Sequence, residues 1–372
     1  MTLLATCPPG LEPVLQAEVG QLPGLAAAAA VTGGVELHGE PSLVGAANLH
    51  LRSANRVLLR LGRFRAVRFG QLLDAVAALP WERYLVSADV QVHVTCRRCR
   101  LYHSGAVAER VVQGVAARLG RRGTGSGGPR VLLRGQEDLW EVSLDTSGEL
   151  LHRRGYRQEV GPAPLRETLA AALLLFSGYQ GGPVLDLCTG TGTLAIEAAL
   201  MRCQVAPGLW RRFACQDWPV WEAAAWDRLR QQALARIRPE QGPAAVLGLD
   251  LDPVAVARAQ THAIRAGVAG TTLFRQADLF QASAYADFRA TWAGAPLLVV
   301  ANPPYGRRLG RRDEVVAFHR RLGRLLRGEL AGSSVLILCG HRHGAAALNL
   351  APPALRVQSG GLPLQIVCIR AW

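Results

Sequence analysis

The chain has 372 residues, 42 basic and 28 acidic, for a formal net charge of +14, with 49% hydrophobic and 19% charged residues. That many apolar side chains can build sizeable cores, which excludes general disorder and suggests two or three domains. No lysine occurs, so every basic residue is an arginine, a planar and permanently charged fork suited to phosphates and stacked bases; the positive surplus is five before Gly155 and nine after it, which a single basic tail would not produce.

Met1 to Cys7 lacks a basic stretch and runs into Pro8-Pro9-Gly10, so no signal peptide is expected. The apolar runs Leu25–Val31 and Leu169–Phe176 fall short of the roughly 18 residues of a membrane span. A soluble, cytoplasmic protein without a membrane partner follows. Ala26–Ala30 is of low complexity and suggests no function. Val90–Cys96 alternates as a strand does, and Gly105–Leu119 spaces its apolar positions by three and four, as a helix does. The Gly/Ser stretch Arg122–Pro129 reads as a surface loop before a strand at Val131–Leu133. Residues 1–155 thus form an α+β region, with a boundary near Gly155–Pro164. Over 156–372, buried strands alternate with helices: Pro183–Leu187, a helix from Thr193, Ala244–Leu249, a helix from Pro253, and Leu297–Ala301. Ser334–Leu338 and Leu364–Ile369 would complete a parallel α/β sheet covered on both faces. The eight cysteines show no framework spacing and are expected to be free; Cys96-Arg-Arg-Cys99 lacks the second ligand pair that zinc requires, so no metal is expected.

The sharpest chemical signal is Val184-Leu-Asp-Leu-Cys-Thr-Gly-Thr-Gly-Thr193, a buried strand ending in Asp186 and a glycine turn that opens a helix. Gly190 and Gly192 let a ligand approach the backbone, and the helix start offers unpaired N–H donors. A second strand ends at Asp250, where an acid can accept adenosine ribose hydroxyls. A phosphate-binding loop is excluded by the missing Gly-Lys-Ser/Thr ending, and a dinucleotide fingerprint by the missing third glycine. S-adenosylmethionine is the natural candidate cofactor. Asn302-Pro303-Pro304-Tyr305 follows the third strand, where prolines fix φ and present the Asn302 oxygen and the Pro303 carbonyl as acceptors beside the flat face of Tyr305. Two acceptors and a stack would aim the lone pair of an exocyclic base amine at a sulfonium methyl. Taken alone, the tetrapeptide is also consistent with a rigid turn.

Asp186–Thr193, Asp250, Gln276-Ala-Asp-Leu-Phe280 and Asn302–Gly306 resemble the successive motifs of amino-methyltransferases acting on nucleic-acid bases. Leu3–Glu12, Val94–Ser104, Ser143–Gly148, Leu151–Arg157 and Ala163–Ala170 are similar to segments of THUMP-containing RNA methyltransferases. Within that family, Arg212–Pro219 and Asn302–Gly310 are most similar to the ribosomal large-subunit (23S rRNA) guanine-N2 enzymes. The resemblance implies an RNA-binding ferredoxin-like plus THUMP region, then a Rossmann-like, seven-stranded methyltransferase domain with one antiparallel strand near its edge. It further implies Asp186, Gly190 and Gly192 around the methionine part, Asp250 on the ribose, Asp278 on the adenine amine and Asn302 to Tyr305 at the target base, with Thr193 and Asn302 also binding the cofactor and Glu167 and Thr168 near it. Leu187, Cys188 and Thr189 depart from the Asp-Pro-Phe-Cys-Gly commoner in the family.

Arg307, Arg308, Arg311 and Arg312 open an arginine-rich stretch directly after the base motif, where RNA would enter, so phosphate contact is expected of them. A run of charge also marks an ordinary solvated helix face. Trp210, Trp218 and Trp221 read as packing more than as a stacking surface. RNA is the expected partner, rRNA ahead of tRNA, and no obligate protein partner is evident. The same motif would serve a tRNA guanine-N2 or an adenine-N6 substrate, and a non-catalytic RNA-binding assembly factor is the reading from another class.

Overall fold

A computed structural model describes residues 1–120, 123, 127–157, 165–303, 312–359 and 362–370, with only the backbone described at 312, 359 and 362. Backbone packing divides the chain into two compact units. The first comprises Met1–Cys7, Gln16–Leu151 and Arg211–Gln231; the second comprises Pro8–Leu15, His152–Trp210 and Gln232–Trp372.

The first unit holds β1 (Thr2–Thr6), β2 (Leu25–Val31), β3 (Gly34–Gly39), β4 (Arg56–Arg65), β5 (Gln91–Arg97), β6 (Arg130–Gln136) and β7 (Leu139–Asp145). They form one sheet in the order β2-β3-β1-β4-β7-β6-β5, antiparallel except for the β5/β6 pair. The alanine run, helix-favouring by propensity, is edge strand β2, because pairing with β3 outweighs a weak local preference. Buried polar groups lock the middle of the sheet: Asn48 donates to the Thr146 hydroxyl at 2.7 Å and accepts from the Ser147 hydroxyl at 2.7 Å, and Arg56 pairs with Asp145.

Chain order alone places Arg211–Gln231 with the carboxyl-terminal domain, yet it packs in the first unit. Its aromatic side chains explain the difference. Trp218 meets Tyr84 edge-on at 5.1 Å, Phe213 meets Trp226 at 5.5 Å, and a Cβ at Gly45 would lie 2.9 Å from Leu229 Cδ1. Arg211 donates to the carbonyls of Leu150 at 2.8 Å and Glu149 at 2.7 Å. Trp218 is buried in this cluster, whereas Trp210 is 56% exposed.

The second unit holds β8 (Val184–Asp186), β9 (Val246–Asp250), β10 (Thr272–Gln276), β11 (Leu298–Ala301), β12 (Ser334–Cys339), β13 (Leu355–Ser359) and β14 (Leu362–Ile369). Their order is β10-β9-β8-β11-β12-β14-β13, and β14 alone runs antiparallel to both of its neighbours. This is the expected Rossmann-like, seven-stranded α/β sheet. The central strands are apolar because helices cover both faces, and Leu185, Leu247, Val299 and Ile337 share one core. The chain winds from β8 to β9 on one side and reaches β11 on the other, so a crevice opens outside the carboxyl ends of these strands. Among the described residues, no helix is long and apolar enough to cross a membrane.

Candidate active site

At this crevice β8 ends in Asp186, only 1% exposed. The Cys188 amide donates to its Oδ1 at 3.4 Å, while its Oδ2 is buried without a hydrogen-bond partner among the described residues. Burial, reinforced by the Asp250 charge, lifts the Asp186 carboxyl to about 7. A fully buried acid at the end of a central strand is thus poised to ionise when a cation arrives.

The glycine turn that follows is held from three sides. Gly190 donates its N–H to the Asp250 carboxylate at 2.8 Å, Thr189 donates to the Leu249 carbonyl at 2.9 Å, and Nδ1 of buried His262 donates to the Thr191 carbonyl at 3.1 Å. Gly192 has φ +85°, and a Cβ there would lie 3.0 Å from Ala259 Cβ and 3.1 Å from Ile196 Cδ1, so conformation and space both require glycine. A Cβ at Gly190, φ +52°, would meet nothing within 4 Å; that side of the turn is open to a ligand.

Helix Thr193–Arg202 starts here, with its first eight residues buried. Beneath its first turns lies a charged cluster in which the motif reading named Glu167 and Thr193 but not Glu197, its buried centre. Glu197, fully buried, accepts from the Tyr156 hydroxyl at 3.2 Å and lies 3.6 Å from Arg154 Nε. Arg157 donates to the Thr193 hydroxyl and pairs with Glu167 at 3.4 Å. Burial raises the Glu167 carboxyl, while the Arg157 charge opposes that shift. The sequence signal was present in two parts, namely Thr193 and Glu197 four apart on one helix face and the Arg153-Arg154-Gly-Tyr-Arg157 run.

Asp250 and Asp278 stand on adjacent strand ends. The Ala277 amide donates to the Asp250 carbonyl at 2.9 Å, and Asp278 accepts from the Phe280 amide at 2.9 Å. Phe280 packs edge-on against Phe318 at 5.5 Å and carries the Arg321 guanidinium 3.8 Å from its ring centre. One arginine of the charged stretch therefore stacks on an aromatic ring, and another, Arg327, donates to the carbonyls of Leu348 and Asn349. On the other side of β8, Asn302 follows β11, its Oδ1 buried without a partner among the described residues. The Leu187 amide donates to the Val300 carbonyl at 2.9 Å, joining that loop to the glycine turn. Asp186, Gly190, Gly192, Thr193, Asp250, Asp278, Asn302 and Pro303 thus gather along one sheet edge, and Arg157 links Glu167 to Thr193. Pro304, Tyr305, Arg307, Arg308 and Arg311 lie outside the described residues, as does the Arg312 side chain.

A family model described as an RMKL-like methyltransferase domain matches residues 154–356. The chain belongs to the RMKL-like methyltransferase family. A second model, the RlmL ferredoxin-like domain, matches residues 2–58. Among relatives of the family, the chain is 34% identical over 98% of its length to a protein of Syntrophotalea carbinolica named ribosomal RNA large subunit methyltransferase K/L, of which it covers 52%; it spans about half the length of the curated relatives it matches. Among solved structures it is similar to a Listeria monocytogenes protein named as a predicted N6-adenine-specific DNA methylase, with TM-score 0.85 and 31% identity over 98% of this chain and 95% of that one. It is also similar to SMU.472, named as a putative methyltransferase complexed with SAH (S-adenosylhomocysteine), with TM-score 0.86 and 27% identity over 100% and 98% of the two chains.

Proposed function

We propose that this protein is an S-adenosylmethionine-dependent methyltransferase that modifies the exocyclic N2 amine of a guanine in large-subunit (23S) rRNA. The observation that carries the reading is a pair of buried acceptors on either side of one strand pair, Asp186 Oδ2 at the glycine turn and Asn302 Oδ1 beyond β11, neither with a hydrogen-bond partner among the described residues. A buried oxygen without a donor is costly unless a ligand completes it. The residues fit the cofactor. Asp186 would take the methionine ammonium, Asp250 the ribose hydroxyls and Asp278 the adenine amine, with the open face of Gly190 leaving room beside them. Bound there, the cofactor supplies a methyl group already activated on a sulfonium.

Asn302 would then hold the base amine by its hydrogens, with Pro303 and, outside the described residues, Pro304 and Tyr305 completing the grip. Orientation matters because an amine conjugated to a base is a weak nucleophile; fixing its lone pair in line gives much of the rate. A base turned out of its stack is required for such access, and residues 1–155 would grip the surrounding RNA. The names of the K/L relatives favour ribosomal RNA as substrate.

The test incubates purified protein with labelled S-adenosylmethionine and, separately, unmodified large-subunit rRNA and tRNA, then identifies the methylated nucleoside by mass spectrometry. N2-methylguanosine in the rRNA alone is expected. Label in tRNA or on adenine would replace the substrate, and cofactor binding without label in any RNA would overturn the reading.

A further inference from the structure

The carboxyl edge of the parallel sheet continues beyond the loop that carries Asn302. Ala301 of β11 is level with Ile337 of β12, and Cys339, two residues on, pairs with Gln365 of β14, which pairs with Arg356 of β13. Arg356 and Gln365 therefore stand level with Pro303, and β13 lies three strand spacings, about 14 Å, from β11. There the edge borders an open cavity of about 930 Å³ lined by His341, Arg342, Asn349, Pro352, Arg356 and Gln365, among others. Ligand sites span roughly 300–1,000 Å³, so the space is large enough for a nucleotide.

The cavity's chemistry is one-sided. Among the described residues no acidic one lines it, and none occurs in the sequence between Leu330 and Trp372. Arg342 and Arg356 are exposed, and among the described residues neither pairs with a carboxylate. Unpaired guanidinium forks with no opposing charge favour an anion, and their geometry matches the oxygens of a phosphate. The exposed His341 ring stacks on His343 at 4.7 Å with planes 30° apart, offering a π face to a base, and the amides of Asn349 and Gln365 offer both donors and acceptors. The Arg327 bonds to Leu348 and Asn349 fix the chain beside the lining, and Pro352-Pro353 stiffens it.

We infer that this cavity is a second nucleotide site, which holds a phosphodiester-linked nucleotide flanking the base presented to Asn302. The inference rests on the RNA substrate proposed above. It gives the strand a path along the sheet edge, with the flanking nucleotide anchored by Arg342 and Arg356.

The test compares the full chain with an Arg342→Glu/Arg356→Glu double variant and an Arg342→Lys/Arg356→Lys double variant, using deproteinised large-subunit rRNA. Methyl transfer yields KM for RNA and kcat; fluorescence anisotropy yields RNA affinity between about 50 and 200 mM salt, where phosphate contacts dominate its variation. The charge reversal should raise KM for RNA about tenfold or more while kcat and cofactor affinity stay within about twofold, and two lost single-strand contacts should flatten the slope of log affinity against log salt by about 1.4. The lysine variant should keep the original slope, because an ammonium still neutralises a phosphate. An unchanged KM and slope would overturn the site, and so would a raised KM with an unchanged slope, which would mark the arginines as merely structural. If the unsubstituted chain transfers no methyl group to RNA, the substrate reading fails while the anisotropy slopes still decide the cavity.

Discussion

The two halves of one sheet edge carry opposite charge. From β8 to β10 the edge carries Asp186 and Asp250 at strand ends and Asp278 two residues past β10, while from β11 to β13 it carries Asn302, His341, Arg342 and Arg356 with no acid among the described residues that line its cavity. One backbone arrangement supports both, because parallel strands deliver whatever residue follows them to the same crevice. On the proposed function, this division would let charge sort the two reactants: a cationic cofactor suits the acidic half and a polyanion the basic half.

The largest effect expected on this division comes from its neutral midpoint. Asn302→Ala should cut turnover by about 10²–10³, the range for removing one group that acts in the transition state, with cofactor affinity changed less than about threefold. Turnover measured at saturating substrate, alongside calorimetric cofactor binding, checks it. Equal loss in both would move Asn302 to the cofactor side.

Asp186 comes next. Its folded carboxyl lies at about 7 against an ordinary 3.8, so the protonated form is favoured in the cofactor-free fold. Its contribution to stability is full below the ordinary value and is lost as pH rises through about 7. Asp186→Asn should therefore raise the melting temperature of the cofactor-free protein at pH 8 and weaken cofactor binding about 100-fold, as loss of a charged hydrogen bond does. In the unsubstituted protein, cofactor affinity should fall up to about tenfold for each pH unit below 7, since binding must then expel a proton; calorimetry from pH 5.5 to 8 should show this slope and its disappearance in Asp186→Asn. A flat profile in the unsubstituted protein would break the assignment.

Asp250→Ala should have the smallest effect, weakening the cofactor about tenfold while leaving RNA affinity near normal. Its carboxylate also holds the Gly190 amide, so the loss should be partly restored by Asp250→Asn, whose amide oxygen can still accept that bond.

The strands that bear this site were legible because a buried parallel strand is an apolar run, and the polar residue ending it stands out: Leu185 before Asp186, Leu249 before Asp250, Ala301 before Asn302. Edge strands β10 and β13 gave no such signal, since a half-exposed edge alternates or carries Arg356 and Gln358. Glu197 was hidden for another reason. A glutamate within an alanine-rich helix resembles a solvated residue, and it takes Tyr156 and Arg154, some forty residues earlier, to make its burial tolerable. The allegiance of Arg211–Gln231 was equally illegible, because its tryptophans look the same whichever core receives them.

That segment has a practical bearing on how the protein can be taken apart. An expression fragment ending at residue 155 would lack Trp218 and Trp226, leaving Tyr84 and the helix around Gly45 without their cover, and would be prone to aggregate. A soluble amino-terminal piece calls for grafting residues 211–231 back through a linker, much as an inserted module is excised together with its clasp.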